Sequence, residues 1–165
     1  LSIYVVLAWV FASWLRPFAV MIMIPFGFIG AVAGHYFLGL TMSILSLFAI
    51  IALAGIVVNN SIILVATIER RLLENPENPD EAIVSGACDR LRPVLLTSCT
   101  TIGGLSALMF ETSLQAQYLI PMAATITFGL GVTTVLVLFV VPSTLGIGQD
   151  ISKVIGNLLS RLLRV

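Results

Sequence analysis

The residues with the most evident chemistry are two adjacent amides, Asn59 and Asn60, in the segment AGIVVNNSIILV. They lie in an apolar run in which no Asp, Glu, Lys or Arg separates Arg16 from Glu69. Burying an amide without hydrogen-bond partners is costly because it has several donors and acceptors. Two interpretations stay open on chemistry alone. The amides join neighbouring helices, or they line an ion or proton path and contact ionisable groups of another segment.

The other reactive residues form no recognisable catalytic or metal-binding set. Cys88 and Cys99 are isolated, and we expect free thiols. His35, the single histidine, precedes Tyr36 and is predicted to lie at a membrane interface. The sequence contains no Ser/His/Asp arrangement, zinc motif or phosphate-binding loop. We therefore expect neither an enzyme nor a cofactor.

The composition is that of an integral membrane protein. Of 165 residues, 59% are hydrophobic and 10% are charged, and the mean hydropathy is +1.11. Soluble domains are about one-quarter charged. The eight basic and eight acidic residues cancel, which gives no indication of nucleic-acid binding. The chain starts at Leu1 without the features of a signal peptide, and we expect a fragment of a longer protein.

Runs of about 20 apolar residues predict spanning helices, and these runs do not alternate as strands would. We predict an all-α membrane fold with five transmembrane helices. The spans cover about 1–15, 17–38, 41–68, 93–110 and 118–147. Asn59 precedes Glu69 by ten residues, about 15 Å along a helix, and so lies near mid-membrane. No ionisable residue lies near the middle of any predicted span, so a proton-carrying group would belong to another chain segment.

The basic residues set the orientation, because cytoplasmic loops are enriched in Lys and Arg. With the N-terminus in the periplasm and the C-terminus in the cytoplasm, all eight fall on the inner side. They are Arg16 in the first loop, Arg70, Arg71, Arg90 and Arg92 in the loop 69–92, and Lys153, Arg161 and Arg164 in the tail.

Two amphipathic helices are predicted on the cytoplasmic side. The Asn-Pro steps of ENPENPDEA end the third span, and Asp80 then caps a short helix along the membrane surface. The tail 148–165 has apolar residues at helical spacing with basic residues between them, which favours an interfacial anchor over a partner-binding helix.

Small residues predict how the spans pack. Gly30 and Gly34 have GxxxG spacing, which is typical of close helix packing. On the third span Gly55 shares a face with Asn59, and on the fourth Gly104 shares a face with Thr97. Arg90 lies seven residues before Thr97, on roughly the same face. We expect these two faces to meet in a hydrogen-bonded bundle interior.

Four segments in this order resemble the resistance-nodulation-division transporters: WLRPFAVMIMIPFGFIGA, GIVVNNSIILV, RLRPVLLTSCTTIGGLSAL and FVVPSTLG. The resemblance runs over about residues 1–147 and is to the C-terminal membrane half of the large export subunit. It implies spans eight to twelve of a twelve-span protein of the bacterial inner membrane. It also implies export of drugs or other amphiphilic compounds driven by the proton-motive force. The implied partners are the N-terminal half with its periplasmic domain, two further copies in a homotrimer, a periplasmic adaptor and an outer-membrane channel.

The resemblance also implies roles for four residues. In this family the coupling carboxylates lie on span four in a GIVVDD-like motif, and Asn59 and Asn60 occupy the pseudo-symmetric positions. Drug-exporting members carry a lysine where Asn59 stands, so their charge network is not preserved intact. Arg90 and Thr97 match a functional arginine and threonine of the family.

Two other hypotheses stay open. One is a lipid-export or protein-export relative of the same superfamily. The other is a non-transporting membrane scaffold or sensor domain, in which replacing Asn59 by Leu would leave efflux intact while changing assembly.

Overall fold

The computed structural model describes residues 2–11, 17 and 20–162, and for residues 2, 3, 6, 10, 11 and 149–162 it describes the backbone only. Arg16, Arg164 and the side chains of Lys153 and Arg161 lie outside the described part. The described residues form helices and turns and contain no strand, which confirms the all-α prediction. The helices are α1 Ser2–Phe11, α2 Met23–Leu38, α3 Ile44–Glu74, α4 Pro79–Met109 and α5 Leu114–Leu162.

Two described helices are long and apolar enough to cross a membrane, namely α3 and the Leu114–Gly148 portion of α5. Helix α2 is apolar but has only 16 residues. A crossing by all five helices stays a prediction.

A tight turn connects α2 to α3, and a buried histidine lies in the last turn of α2 before it. Gly39 ends α2 with φ 63°, a left-handed conformation that glycine adopts without strain. Ser43 and Ser46 begin α3 with a capping box. His35 is only 3% exposed. Its Nδ1 donates to the carbonyl of Ala31 at 3.0 Å, and its Nε2 pairs with the Ser46 hydroxyl at 3.0 Å. Both ring nitrogens therefore have partners that offset their removal from solvent. The depth of His35 relative to a membrane interface stays a prediction.

Helix α5 is the common packing partner of α2, α3 and α4. Its closest approach is to α2, through glycines. A Cβ atom at Gly34 would meet Cβ of Phe128 at 2.5 Å, and one at Gly30 would meet Cα of Gly129 at 3.1 Å. A Cβ at Gly129 would in turn overlap the side chain of Leu53 on α3. The glycines thus bring α2, α3 and α5 together at one level of the bundle.

The Asn-Pro steps end α3 as predicted, but the separate short helix predicted after them is absent. Helix α3 continues to Glu74, and α4 begins at Pro79 and runs without interruption through Pro93. Asp80 lies in the first turn, and Asn78 is the N-cap, without a side-chain bond. The apolar face predicted to lie on the membrane instead packs against protein, since a Cβ at Gly86 would meet Cα of Ile68 at 2.9 Å.

The separate tail helix is absent too. The backbone of α5 is one helix from Leu114 to Leu162, with Pro121 and Pro142 inside it. No break separates the predicted last span from residues 148–162. The orientation of the tail side chains lies outside the described part.

The glycine contacts make a prediction about stability. Gly34→Ala should lower the free energy of unfolding by about 1–3 kcal/mol, because the new methyl group overlaps Phe128. Gly55→Ala is the matched control: no atom lies within 4 Å of its Cβ position among the described residues, and Ala favours a helix over Gly by about 1 kcal/mol. Thermal unfolding of the purified protein in detergent measures both. Equal melting temperatures for the two variants would contradict the packing.

Candidate functional site

Helix α3 turns its two adjacent amides in different directions. Its core side carries buried residues at helical spacing, including Leu53, Val57 and Leu64. Asn59 is on the opposite side and is exposed, whereas Asn60 flanks the core and is half-buried. Asn60 lines a crevice between α3, α4 and α5 that is too narrow for a water molecule. The crevice is completed by Val57, Val94, Thr133, Thr134 and Val137.

The predicted meeting of the two small-residue faces is wrong for the described helices. Gly55 and Asn59 are exposed on α3, and Thr97 and Gly104 are exposed on α4. No described atom lies within 4 Å of a Cβ at Gly55 or at Gly104. Larger apolar side chains occupy the interface with α5 because they bury more apolar area there, and the small and polar residues are left on the outside. A packing role for Gly55 and Gly104 stays a prediction for a surface beyond these helices.

Although they do not meet in the core, Asn59 and Thr97 lie at the same height. Helices α3 and α4 run antiparallel, and Thr67 contacts Arg90 while Asn60 and Val94 share a crevice. In an antiparallel pair, residues at the same height have residue numbers whose sum is nearly constant. This sum is 157 for the first pair and 154 for the second, and it is 156 for Asn59 and Thr97. We call this height the Asn59/Thr97 level. The predicted pair is therefore aligned along the bundle, with both residues exposed.

The hydroxyl groups of α4 near this level bond to their own helix. Thr97 donates to the carbonyls of Pro93 and Val94, each at 3.0 Å. Thr100 and Thr101 donate to the carbonyl of Thr97 at 2.9 Å. Each hydroxyl keeps lone pairs that can accept a further hydrogen bond. The amide of Asn59 adds two N–H donors and one acceptor, so this level can bind a polar group of either kind.

Charged residues gather at one end of α3 and α4. Arg71 pairs with Asp89 across the two helices at 2.6 Å, and it also approaches Glu74 at 3.4 Å. Arg70 pairs with Glu74 at 2.9 Å. These pairs are exposed and contribute little individually. Half-buried Arg90 instead donates its Nε–H to the hydroxyl of Thr67 at 2.6 Å.

Two of the interhelical hydrogen bonds that sequence reasoning missed involve α4 and an uncharged partner. One is the Thr67 contact of Arg90, and the other joins the hydroxyls of Ser98 and Thr134 at 2.7 Å between α4 and α5. Ser98 is 3% exposed and Thr134 is 6% exposed. Hydroxyl residues are frequent along these helices, and no spacing rule indicates which of them meet. The neighbouring Thr97 and Thr100 carry hydroxyl groups too and do not distinguish Ser98.

The Ser98–Thr134 bond gives a test of the polar interior. Ser98→Ala should lower the free energy of unfolding by about 0.5–1.5 kcal/mol, because a buried hydrogen bond is lost. Ser106→Ala is the matched control, since that hydroxyl bonds only its own helix at Gly103. In a double-mutant cycle measured by thermal unfolding, Thr134→Val should cost much less in the Ser98→Ala background. Additive effects would contradict a shared bond.

Known proteins with similar sequences point to one family. The family model of the AcrB/AcrD/AcrF family matches residues 1–145. The swarming motility protein SwrC of Bacillus subtilis (strain 168) is 37% identical over 150 residues, which are 85% of this chain and 13% of that protein. The nickel and cobalt resistance protein CnrA of Cupriavidus metallidurans is 34% identical over 128 residues, 78% of this chain and 12% of that protein.

A solved structure agrees with the sequence matches. The crystal structure of a heavy metal efflux pump superimposes with a TM-score of 0.75 at 28% sequence identity, over 86% of this chain and 14% of the pump. The chain thus spans about one-eighth of the length of the relatives that it matches. The length of the family match and the identity to these relatives establish that this chain belongs to the AcrB/AcrD/AcrF family of resistance-nodulation-division efflux transporters.

Proposed function

We propose that the chain is the C-terminal membrane portion of a proton-driven exporter, and that its helices cross the bacterial inner membrane. The observation that carries this proposal is the exposed Asn59/Thr97 level on two helices whose other exposed side chains, away from the charged end, are largely apolar. Polar groups facing lipid are unfavourable. A protein surface with polar or ionisable groups therefore covers this level in the complete transporter.

The remaining length of the relatives provides such a surface. In the family pattern, a pair of carboxylates on span four of the N-terminal half occupies the positions that correspond to Asn59 and Asn60. We propose that these carboxylates face Asn59 and Thr97. The amide N–H groups of Asn59 then donate to a carboxylate without adding a compensating charge. Arg90 supplies a positive charge seven residues before Thr97, about 10 Å along α4.

The orientation follows the clustered arginines. We propose that the end of α3 and α4 that carries Arg70, Arg71 and Arg90 lies in the cytoplasm, in accordance with the enrichment of basic residues there. The N-terminus of the chain then lies in the periplasm. The complete exporter works as a homotrimer with a periplasmic adaptor and an outer-membrane channel.

Two classes of exported compound are candidates, one from the relatives and one from the family resemblance. CnrA is named for nickel and cobalt resistance, and the matching crystal structure is that of a heavy metal efflux pump. The resemblance implies drugs or other amphiphilic compounds. We propose proton-driven efflux for this chain and separate the two classes by experiment. Vesicles containing the full-length protein are given an inside-acid pH gradient, and uptake of Ni²⁺, Co²⁺ and ethidium is measured. A gradient that drives uptake of none of these probes counts against the proposal.

The amide at position 59 predicts how the coupling carboxylates titrate. Asn59→Lys should lower their apparent pKa, because a neighbouring positive charge favours the ionised form. We expect a decrease of about one unit or more. Infrared titration of the full-length protein follows the carboxyl band as the pH is raised.

The control places the same charge elsewhere on the same helix. Ala66 is exposed and lies seven residues further along α3, about 10 Å away. Ala66→Lys should shift the titration less than Asn59→Lys does. If the carboxylates titrate unchanged in Asn59→Lys, the proposed contact between Asn59 and the carboxylates is wrong.

A further inference from the structure

Thr67 makes two hydrogen bonds whose directions are fixed by chemistry. Its hydroxyl donates to the carbonyl of Ile63 at 2.8 Å, one turn back in α3. Its single hydrogen is thereby used, so its oxygen accepts the Nε–H of Arg90 at 2.6 Å. Arg90 belongs to α4, 23 residues further along the chain. The bond thus holds the Nε atom of the flexible Arg90 side chain against α3.

The two helices are held close together around this bond. One turn before Arg90, Gly86 allows α4 to approach Ile68, the residue after Thr67, with 2.9 Å between Cα of Ile68 and an ideal Cβ at Gly86. Beside it, Arg71 pairs with Asp89. The backbone positions of Thr67 and Arg90 are therefore set by their neighbours. The hydroxyl determines only where the Arg90 side chain points.

Thr67 also borders a cavity. The cavity has a volume of about 160 Å³ and is lined by Thr67, Arg70, Arg71, Glu74 and Asp89. The cavity is partly open, and its lining is polar and charged. Without its bond to Thr67, the Arg90 guanidinium could turn toward this polar space, since charged groups are better solvated there. The hydroxyl holds it in a half-buried position instead.

We propose that Thr67 is a positioning residue, whose hydroxyl holds the positive charge of Arg90 beside α3 and thereby sets the pH range over which the exporter couples to protons. This inference rests on the proposed function, in which carboxylates of the N-terminal half face the Asn59/Thr97 level. Arg90 is at a fixed distance from that level only while its side chain is tethered. When the tether is lost, the charge moves away from the carboxylates and favours their ionised form less.

Other charged groups at this end of the bundle stay in place in such a variant. On α3 they are Glu69, Arg70, Arg71 and Glu74, and on α4 they are Asp80, Glu81, Asp89 and Arg92. Between residues 114 and 148, α5 carries no Asp, Glu, Lys or Arg, and its one titratable side chain is that of exposed Tyr118. A shift in titration on removing the Thr67 hydroxyl is therefore attributable to Arg90.

The test compares three variants in the full-length exporter. Thr67→Val keeps the shape of the side chain and removes the acceptor, while Thr67→Ser keeps the acceptor. Thr144→Val is the matched control, because Thr144 is also half-buried and its hydroxyl donates only to the carbonyl of Val141. Infrared titration of the coupling carboxylates and the pH profile of gradient-driven uptake are measured for each, with Ni²⁺, Co²⁺ and ethidium as probes.

We expect Thr67→Val to move both curves upward by on the order of half a pH unit. Thr67→Ser and Thr144→Val should leave them where they are. A loss of uptake at every pH without a shift in titration would indicate a merely structural role and overturn the proposal. If Arg90→Ala shifts the titration but Thr67→Val does not, the positioning role fails while the proposed function stands. If neither Arg90→Ala nor Asn59→Lys shifts it, the proposed function fails and this inference with it.

Discussion

The close approach of α2 to α5 is the constraint on which the other helix positions depend. Gly30 and Gly34 leave no room for a side chain against Phe128 and Gly129, and Leu53 of α3 fills the space beside Gly129. This contact fixes the rotation of α3. With Leu53 inside, the helical period places Val57 and Leu64 inside as well and turns Asn59 outward. A packing contact between apolar and glycine residues thus decides where the amide points.

The described bundle separates its polar groups into two kinds. Several of those inside are paired with each other, as in the Ser98–Thr134 and His35–Ser46 contacts. Such pairs hold helices together and satisfy buried polar groups. Those outside are the ion pairs at one end of α3 and α4 and, further along the two helices, groups such as the Asn59 amide and the Thr97 hydroxyl, which keep free bonding capacity. The exposed groups thus remain able to bind a further polar surface.

The sequence was sufficient to predict helices, the end of α3 before the Asn-Pro steps and the glycine contacts of α2. Hydropathy and breaker residues carry this information locally. The sequence was insufficient to predict which face of each helix is buried against its neighbours. The stripe containing Gly55 and Asn59 has the small residues of a helix interface, and nothing within the sequence states whether the partner is α4 or another segment. The continuity of α4 was missed for a similar reason. Pro93 and an amphipathic turn suggested a break, but the packing of Gly86 on Ile68 stabilises one continuous helix. The Thr67–Arg90 bond depends on this packing and has no local signal.

Helix α4 has 31 residues, which at about 1.5 Å per residue makes a rod of about 46 Å. Pro93 lies near its middle and lacks the N–H that would bond the carbonyl of Asp89. Two halves of α4 therefore flank one weakened turn and act as its two arms. Thr97 and Gly104 lie on one arm, and Arg90 and Gly86 lie on the other. A bend of about 10° at such a turn swings an arm of about 23 Å by about 4 Å at its tip. Mechanical strain generated at one arm would thus reach the other as a displacement large enough to exchange one set of side-chain contacts for another.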